Sequence, residues 1–506
     1  LREGLYRSTD GGYFWTQVMD NIENYPYQVS DIEIDKDHNI WVGTRPNSWG
    51  SGGGTIMFSS NGEDWAVKYN ATDAKRVELV CAPSNENVIY AIGAAVAGGD
   101  NDIAFFIRSD DGGTNWNPIE IPLNQDNLHF TRSQADYDLI LAVAPNDENI
   151  LYAGGINLHK TIDGGTTWDM ISVWHSYYAN QLNIEYVHAD QHSFAFRPNS
   201  PNTIIFGNDG GIHMTSDAGN TFEAKNTGYN ITQFYSVALH PQAGNNYFLA
   251  GSQDNGTQKF QNASGIVSTV EATGGDGGYC FIDQNNPLHQ ITSYVYNNYY
   301  GSEDGGLNFN DLTDPYVEDN TGRFINPSDY DANSQILYSA SNSDSLKRTY
   351  GLNDAEHIFI NLDLGQASHI RVSEYTDHTI FIGTGLGNLF KFENANSNSP
   401  SREDITGSNF PTGYISCVEL GASENQLLVT FSNYGVTSIF ESTDGGATWV
   451  SKDKDDNIPD MPVRWALYNP EDRNEVILAT EIGIWYTSDF SASVPQWEPS
   501  IDGLAN

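Results

Sequence analysis

Cysteine is scarce in this 506-residue chain, and its scarcity excludes two kinds of small scaffold. The three cysteines, Cys81, Cys280 and Cys417, are odd in number and lie far apart, so they cannot form a disulfide framework, and no CxxC pair offers a zinc-ligand spacing. Each lies within an apolar, strand-like run. We therefore expect three buried free thiols in a fold whose core is large enough to need no covalent links.

Positive charge is also scarce. Lys and Arg number 23 against 66 Asp and Glu, which gives a formal net charge of −43. Such a surface repels phosphate backbones and anionic lipids, so nucleic acid is excluded as an expected partner, whereas divalent cations are favoured. No apolar run reaches the roughly 18 residues of a membrane-spanning helix, so we expect no membrane insertion.

What the chain has in abundance is one turn motif, which we call the box. Its pattern is Ser/Thr-x-Asp-x-Gly-x-x-Trp/Phe, and the first four intervals between copies are 50 to 54 residues. The two longest intervals, of 87 and 140 residues, indicate silent repeats near Phe260, Lys347 and Phe392. The sequence therefore predicts ten complete units after a partial first one. The acidic or Asn positions of the box copies are Asp10, Asn61, Asp111, Asp163, Asp217, Asp304, Asp444 and Asp489.

Each unit also has a common strand pattern. An apolar strand runs into a Pro- or Asn-containing turn and a second strand before the box, as in AVAPNDENILYAGG (residues 142–155). Four strands in about 45 to 50 residues are typical of a β-propeller blade, so we predict an all-β protein, a β-propeller with four-stranded blades. The box then lies between the two outer strands, where its Asp accepts backbone N–H groups and its Gly supplies positive φ. We interpret six box aspartates as structural: Asp10, Asp111, Asp163, Asp217, Asp304 and Asp444.

The box series resembles those of sialidases, sortilin ectodomains and two-propeller xyloglucanases. A more specific likeness lies in residues 188–278, which include HADQHSFAFRPNSPNTIIFGNDGGIHMTSDAG, NITQFY, GSQDNGT and GGDGG. These segments resemble a family of secreted bacterial sortilin-like proteins with BNR repeats, loosely called glycosyl hydrolases and often exported by the type IX system. The resemblance implies a secreted or cell-surface location and assigns no activity. The Arg-Ile-Pro motif of sialidases is absent, and no catalytic aspartate of the xyloglucanases matches a position in this sequence.

The resemblance also implies a domain plan. Family members carry two propellers of about seven blades, which places a first propeller at residues 1–226, with five boxes, and a second at residues 227–506. A single ten-bladed ring of the sortilin kind is the alternative. Because the chain begins inside a repeat, with LREGLYRSTDGG rather than a signal peptide, we expect upstream blades to complete the first ring.

The segment HADQH places His188, Asp190 and His192 at alternate positions. On a strand, alternate side chains share one face, and imidazole and carboxylate groups both bind zinc or similar ions. We therefore treat the three residues as a candidate metal site, with zinc and calcium as candidate ions. The alternatives are a hydrogen-bonded polar cluster at the ring axis and acid–base catalysis. Three ligands in a row reach one ion only if the strand bends.

Three acidic residues lie among Gly or Asn at predicted strand ends. They are Asp209 in GNDGG, Asp254 in SQDNGT and Asp276 in GGDGG. Loops at one end of a propeller converge on its axis, so two of these carboxylates could act as the acid and base of glycoside hydrolysis. The alternative is that all three are ordinary turns.

Aromatic side chains are the other candidate binding groups. Trp174, Tyr177 and Tyr178 crowd the predicted loop WHSYYAN, and exposed aromatic faces stack on sugar rings. Gln253 and Asn255 flank Asp254 as polar candidates for ligand binding. The loop DKDDN (residues 453–457) is a weak calcium pattern, because it lacks the Gly and the distal Glu of calcium loops.

These features favour a secreted or cell-surface propeller that binds a glycan, or a surface or secretion protein, without catalysis. The second hypothesis is a glycoside hydrolase that acts on a polysaccharide through paired carboxylates. The third is a structural module of a larger surface protein. Two carboxylates in an aromatic-lined cleft would favour the enzyme, whereas a broad face without perturbed acids would favour the binder.

Overall fold

A computed structural model of the protein describes residues 4–22, 24–229, 232–261, 269–312, 321–342, 344–353, 355–363, 365–454 and 457–500. Its contacts divide the chain into two compact units, Leu1–Thr227 and Gly228–Asn506. The assignment of one propeller ring to each unit stays a prediction. Within the described ranges, no helix has the length and apolar character needed to cross a membrane.

Ten four-stranded antiparallel sheets are present among the described residues, and in each the strand order follows the chain. They form because short runs rich in β-branched and aromatic residues alternate with turns rich in Gly, Asn and Asp. In one sheet, for example, Ala142 pairs with Tyr152, and Tyr152 pairs with Lys160. The predicted all-β fold of four-stranded blades is therefore confirmed, and we number the sheets blades 1 to 10.

The first unit contains blades 1 to 4, three short pairs of strands and one helix. Its elements are β1 Tyr6–Arg7, β2 Thr16–Gln17, β3 Asn21–Ile22 and β4 Tyr25–Pro26; blade 1, β5 Gln28–Ile34, β6 Ile40–Arg45, β7 Thr55–Ser59 and β8 Ala66–Asn70; blade 2, β9 Ala74–Cys81, β10 Ile89–Ala95, β11 Ile103–Ser109 and β12 Asn117–Pro118; blade 3, β13 Ile140–Val143, β14 Leu151–Gly154, β15 Leu158–Thr161 and β16 Asp169–Met170; β17 Ser172–Val173, α1 Ser176–Leu182 and β18 Glu185–Tyr186; and blade 4, β19 Gln191–Arg197, β20 Ser200–Asn208, β21 Gly211–Thr215 and β22 Glu223–Ala224.

The second unit contains blades 5 to 10. Its elements are β23 Ser236–Leu239, β24 Phe248–Gly251, β25 Thr257–Phe260 and β26 Thr269–Thr273; β27 Cys280–Ile282, β28 Gln290–Ser293, β29 Tyr299–Ser302 and β30 Asn310–Asp311; β31 Ser328–Asp331, β32 Ile336–Ala340, β33 Ser345–Tyr350 and β34 Glu356–Asn361; β35 Ala367–Val372, β36 Ile380–Thr384, β37 Leu389–Glu393 and β38 Ser401–Asp404; β39 Ile415–Leu420, β40 Leu427–Phe431, β41 Ile439–Ser442 and β42 Val450–Ser451; and β43 Val463–Tyr468, β44 Val476–Thr480, β45 Gly483–Thr487 and β46 Glu498–Pro499.

The silent repeats lie where the spacing predicts them. Phe260, Lys347 and Phe392 are in the third strands of blades 5, 7 and 8, which have no recognisable box. A four-stranded blade therefore forms without the turn motif, because its apolar strands still pack against the neighbouring blades.

The apolar core lies between successive blades. In each unit, every pair of consecutive blades encloses a cluster of buried side chains, as where Trp41 of blade 1 meets Leu79 of blade 2. Cys81 and Cys280 belong to two of these clusters, and Cys417 is fully buried. All three thiols are free, which confirms the prediction from the sequence.

Two recurring hydrogen bonds join one blade to the next. A serine at the first strand donates its hydroxyl to a carbonyl at or just before the first strand of the following blade. A tryptophan after a box donates Nε1 to a carbonyl just beyond the fourth strand of the preceding blade or, for Trp65, just beyond the short β1–β2 pair. The serine bonds are Ser30 to Val77, Ser236 to Gly278, Ser368 to Ile415 and Ser416 to Val463, at 2.6–3.0 Å. The tryptophan bonds are Trp65 to Val18, Trp168 to Glu120, Trp449 to Ile405 and Trp497 to Lys452, at 2.7–3.1 Å.

In the blades that have a box, the box turn lies between the third and fourth strands, and wherever the box has an Asp its carboxylate organises the turn. Asp163 Oδ1 accepts the N–H groups of Thr166 and Thr167 at 3.0 and 2.9 Å and the hydroxyl of Thr161 at 2.8 Å. Hydrogen bonds from Thr167 and Thr161 favour the ionised form and lower the pKa of Asp163 to about 2. The bond from the N–H four residues on, and the bond from the preceding hydroxyl, recur at Asp10, Asp111, Asp217, Asp304 and Asp444.

Candidate functional site

The segment His188–His192 differs from its sequence interpretation. Strand β19 begins at Gln191, so only His192 lies on it, and Asp190 adopts a left-handed backbone conformation with φ 63°. The alternation that would place His188, Asp190 and His192 on one strand face is therefore broken, and that part of the prediction is wrong. The His188 ring instead packs beneath Gly210, where a Cβ would lie 2.3 Å from the imidazole Cγ.

The segment WHSYYAN is a helix rather than the predicted loop. Residues 176–180 of the segment lie in α1 (Ser176–Leu182), and the His175 side chain caps this helix by accepting the Tyr177 N–H. Trp174 and Tyr178 lie on one side of this turn with ring centroids 6.4 Å apart. Tyr177 is 58% exposed and is the side chain of this group most available to a ligand.

A partly buried carboxylate at the end of blade 4, with its side chain 13% exposed, forms the centre of the candidate site. Asp209 lies in the tight turn between β20 and β21, where Oδ1 is 2.8 Å from His192 Nε2 and Oδ2 accepts the Tyr137 hydroxyl at 2.7 Å. The Tyr137 and His192 rings meet edge to face at 4.8 Å. Although partial burial alone would raise it, the hydrogen bonds from His192 and Tyr137 lower the pKa of Asp209. Asp209 is therefore an ionised acceptor flanked by two rings.

Two further carboxyl groups lie beside this turn. Asp190 is 9% exposed, and one of its oxygens lies within 4.8 Å of an oxygen of Asp209. Burial and the Asp209 charge raise the pKa of Asp190. Asp138 is completely buried against Asp190, and this burial, reinforced by the Asp190 charge, raises the pKa of Asp138 to about 9. The pKa values of Asp138 and Asp190 are therefore raised and that of Asp209 is lowered. Neighbouring groups with pKa values shifted apart in this way occur in many acid–base sites.

The connection between blades 2 and 3 carries Tyr137 and Asp138 to this place, and Arg76 holds it there. The Arg76 guanidinium donates to the carbonyl oxygens of Asp136, Tyr137 and Leu139 at 2.9–3.2 Å. The same connection is fixed further upstream by Asp102, which accepts the hydroxyl of Thr131 and the N–H of Ala135. The side chains of Tyr137 and Asp138 are thus positioned before any ligand arrives.

The other predicted acids lie in the second unit. Asp276 Oδ1 accepts the backbone N–H of Asp254 at 3.0 Å, so this carboxylate already has a role in holding the turn. Beside them, Gln253 accepts the Tyr235 hydroxyl at 2.7 Å and Asn255 donates to the Gln253 carbonyl at 3.2 Å. The glycines of these loops allow close approach, because a Cβ on Gly277 would lie 2.3 Å from a backbone oxygen.

The structure brings together Asp190, His192 and Asp209 and adds Tyr137 and Asp138, which sequence reasoning did not identify. These two come from residues 119–139, a long connection without box or strand pattern. Long connections often carry function, and this length was the one signal available. In the weak calcium loop, Asp455 and Asp456 lie outside the described residues.

The blades define an all-β protein of the β-propeller class. No family model and no curated protein matches the chain. Among solved structures it is similar to a GH74 enzyme of Niastella koreensis (13% identity, TM-score 0.28, covering 93% of this chain and 84% of that chain) and to the GH74 xyloglucanase of Xanthomonas campestris (14%, 0.27, 95% and 76%). It is also similar to YCF48 bound to D1 peptide (14%, 0.34, 74% and 95%). At this level of identity, none of these assigns an activity to the chain.

Proposed function

We propose that the chain is a secreted or cell-surface protein whose first unit binds a glycan, without cleaving it, through Tyr137, His192 and Asp209. The observation that supports this most strongly is an ionised carboxylate fixed between two aromatic rings. Tyr137 is 50% exposed and the His192 side chain 35% exposed, so both can reach a ligand. A carboxylate accepts sugar hydroxyls and a ring face covers the apolar side of a sugar, so the set suits a glycan.

The support beneath these side chains favours binding. The three carbonyl bonds of Arg76 fix the backbone that carries Tyr137, and the hairpin of blade 4 fixes Asp209. A site held this way loses little conformational freedom when a ligand binds, which improves affinity without any chemical step.

The aromatic helix offers a second contact for the same kind of ligand. α1 lies in the connection between blades 3 and 4, and this connection ends at Asp190. Tyr177 presents an exposed ring there, while Trp174 and Tyr178 support it by packing. A protein partner would use the same exposed rings, since Tyr and Trp also dominate protein interfaces.

A glycoside hydrolase is the second candidate, and one observation favours it. The pKa of Asp190 is raised and that of Asp209 is lowered, with oxygens of the two groups within 4.8 Å. Retaining glycosidases hold an acid and a nucleophile about 5 to 5.5 Å apart. Against this, Asp190 is 9% exposed and has little surface for a substrate oxygen to approach.

Binding is tested first on a glycan array with the whole chain and then by calorimetry with the best ligand. We expect Asp209→Asn and Tyr137→Ala each to weaken binding about 10- to 100-fold, because a hydrogen bond to a charged group contributes about 1.5 to 3 kcal/mol. Tyr13→Ala is the matched control, since Tyr13 is 85% exposed and lies outside the site. Equal affinities of all three variants and the wild type would contradict this assignment of the site.

Cleavage is tested on the same ligands by the release of reducing ends. We expect no release by the wild type. If the wild type releases sugar and Asp209→Asn does not, the hydrolase replaces the binder as the function of this site.

A further inference from the structure

A cavity of about 460 Å³ lies between blades 5 and 6 of the second unit, beside the box turn of blade 6. It is bounded by the turn between β23 and β24, the turn between β27 and β28, and the residue that follows β25. This volume is in the range of about 300 to 1,000 Å³ that is usual for small-molecule sites. Six of the lining residues are His240, Asn245, Tyr247, Gln261, Pro287 and Leu288.

The cavity lies where blade 2 holds a tyrosine. Tyr90 on the second strand of blade 2 pairs with Arg108 on the third, and its hydroxyl donates to the Glu148 carbonyl in the first turn of blade 3 at 2.8 Å. In blade 5 the corresponding pair is Leu249 and Lys259. A leucine side chain is too short to reach the next blade, so the space beside the turn between β27 and β28 stays open.

The lining of the cavity is polar but carries no charged side chain. In the described part of the chain no Asp, Glu, Lys or Arg lines it, although the formal net charge of the protein is −43. Amides come from Asn245 and Gln261, and apolar surface comes from Pro287 and Leu288. An ion that enters such a cavity loses water without gaining a partner of opposite charge, so the lining favours a neutral ligand with hydroxyl groups.

The polar walls are fixed and still leave donors for a ligand. Gln290 is 2% exposed and accepts the Tyr247 hydroxyl at 2.7 Å. Asn245 Oδ1 accepts the Tyr247 N–H at 2.9 Å, and His240 Nδ1 accepts the Gln242 N–H at 3.1 Å, which places the proton of the neutral ring on Nε2. Among the described residues, Asn245 Nδ2 and His240 Nε2 have no hydrogen-bond partner, so both can donate to a ligand.

We propose that this cavity binds a neutral saccharide. The Tyr247 ring and the Leu288 side chain, which is 54% exposed, provide apolar surface for the carbon skeleton of a sugar. The sugar hydroxyls accept from Asn245 Nδ2 and His240 Nε2, and the exposed amide of Gln261 both donates and accepts. The site lies in the second unit and shares no residue with the candidate site of the first, so it does not rest on the proposed function.

The test is an NMR titration of the whole chain with neutral tetrasaccharides of glucose, xylose and mannose, and with tetragalacturonate as the charged counterpart. It is made in the wild type and in Asp209→Asn, in which the site of the first unit contributes little. We expect at least one neutral tetrasaccharide to bind Asp209→Asn, and tetragalacturonate to bind at least 10-fold more weakly, because a carboxylate enters the cavity without a cation.

Two further variants, made in the Asp209→Asn chain, assign the binding to the cavity. Asn245→Asp keeps the acceptor for the Tyr247 N–H but loses the Nδ2 donor, so binding should weaken about 3- to 10-fold. Gln261→Ala changes an exposed side chain and should weaken binding about 2- to 5-fold with the fold unchanged. The matched control is Asn246→Asp, which makes the same charge change at the adjacent exposed residue outside the lining and should leave the affinity unchanged.

The proposal is overturned if no neutral tetrasaccharide binds, if neither Asn245→Asp nor Gln261→Ala weakens binding, or if tetragalacturonate binds as tightly as the neutral sugars. Its failure differs from a failure of the first-unit site. A saccharide that binds the wild type but not Asp209→Asn supports the first-unit site and overturns this one. A saccharide that binds both equally, and binds more weakly after Asn245→Asp, supports this site alone.

Discussion

The Trp497→Ala variant is expected to unfold at a temperature roughly 6 to 20 °C below the wild type. Trp497 is 6% exposed, packs against Phe490 in the core between blades 9 and 10, and donates Nε1 to the Lys452 carbonyl. Truncation of a buried Trp to Ala costs about 3 to 5 kcal/mol, and each kcal/mol lowers the midpoint of a domain this size by about 2 to 4 °C. Scanning calorimetry measures the shift.

Trp15 provides a matched control because it occupies the same place in the first box but does not contact another blade in the described part of the chain. Its ring is 61% exposed, and its Nε1 donates to the Gly12 carbonyl of its own turn. We expect Trp15→Ala to change stability by less than about 0.5 kcal/mol. If the Trp15 and Trp497 variants unfold at the same temperature, the bond between blades is not what makes the box Trp important.

The fold could be predicted from the sequence because its information is local. A box turn needs Ser or Thr, Asp and Gly within five residues, and the hydrogen bonds of Asp163 all fall within four positions of it. Within each blade, every strand pairs with the next strand along the chain, so the fold needs no pairing between strands that are distant in sequence. Even the blades without a box could be placed, because a fixed spacing identifies a missing repeat.

The candidate site was only partly predictable because it depends on contacts between distant segments. Asp209 and His192 lie in the same blade, and the sequence identified both. Tyr137 and Asp138 reach them from the previous connection, through carbonyl bonds to Arg76 that no spacing rule describes. The left-handed conformation of Asp190 could not be predicted either, because positive φ is uncommon even for Asp and no local pattern marks where it occurs.

The contacts between blades and the segments that connect them have different roles in this protein. The two bonds between blades use backbone carbonyls as acceptors, so most side chains near them are free to vary without loss of the fold. The long connections before β13 and β19 both lead to the same acidic group. The blades act as a scaffold, and specificity is carried by the segments that join them.

The stability of the second unit is expected to fall in acid because of one buried imidazole. His369 on β35 is 1% exposed and packs edge to face on Trp465 at 4.9 Å. Neither of its ring nitrogens forms a hydrogen bond of normal geometry with any residue that the structure describes. Burial, reinforced by the positive charge of Arg371, lowers the pKa of His369 to about 3. In the unfolded chain a His has a pKa of about 6.5.

The sign of the effect follows from proton binding. Between about pH 6.5 and 3, His369 binds a proton in the unfolded chain but stays neutral in the folded chain. Proton binding therefore favours the unfolded state, and the stability present above pH 6.5 is lost as the pH falls. At about pH 4.5 the loss from this one group is about 2 to 3 kcal/mol. Urea unfolding at about pH 7 and about pH 4.5 measures how much unfolding free energy is lost in acid. We expect His369→Phe and His369→Gln each to lose less of it than the wild type, by that amount. Each variant is compared with itself at the two pH values, so a packing defect that does not depend on pH cancels. The control His38→Gln, at an exposed position, should lose as much stability in acid as the wild type does. Equal acid losses in all four proteins would mean that His369 is protonated in the folded state.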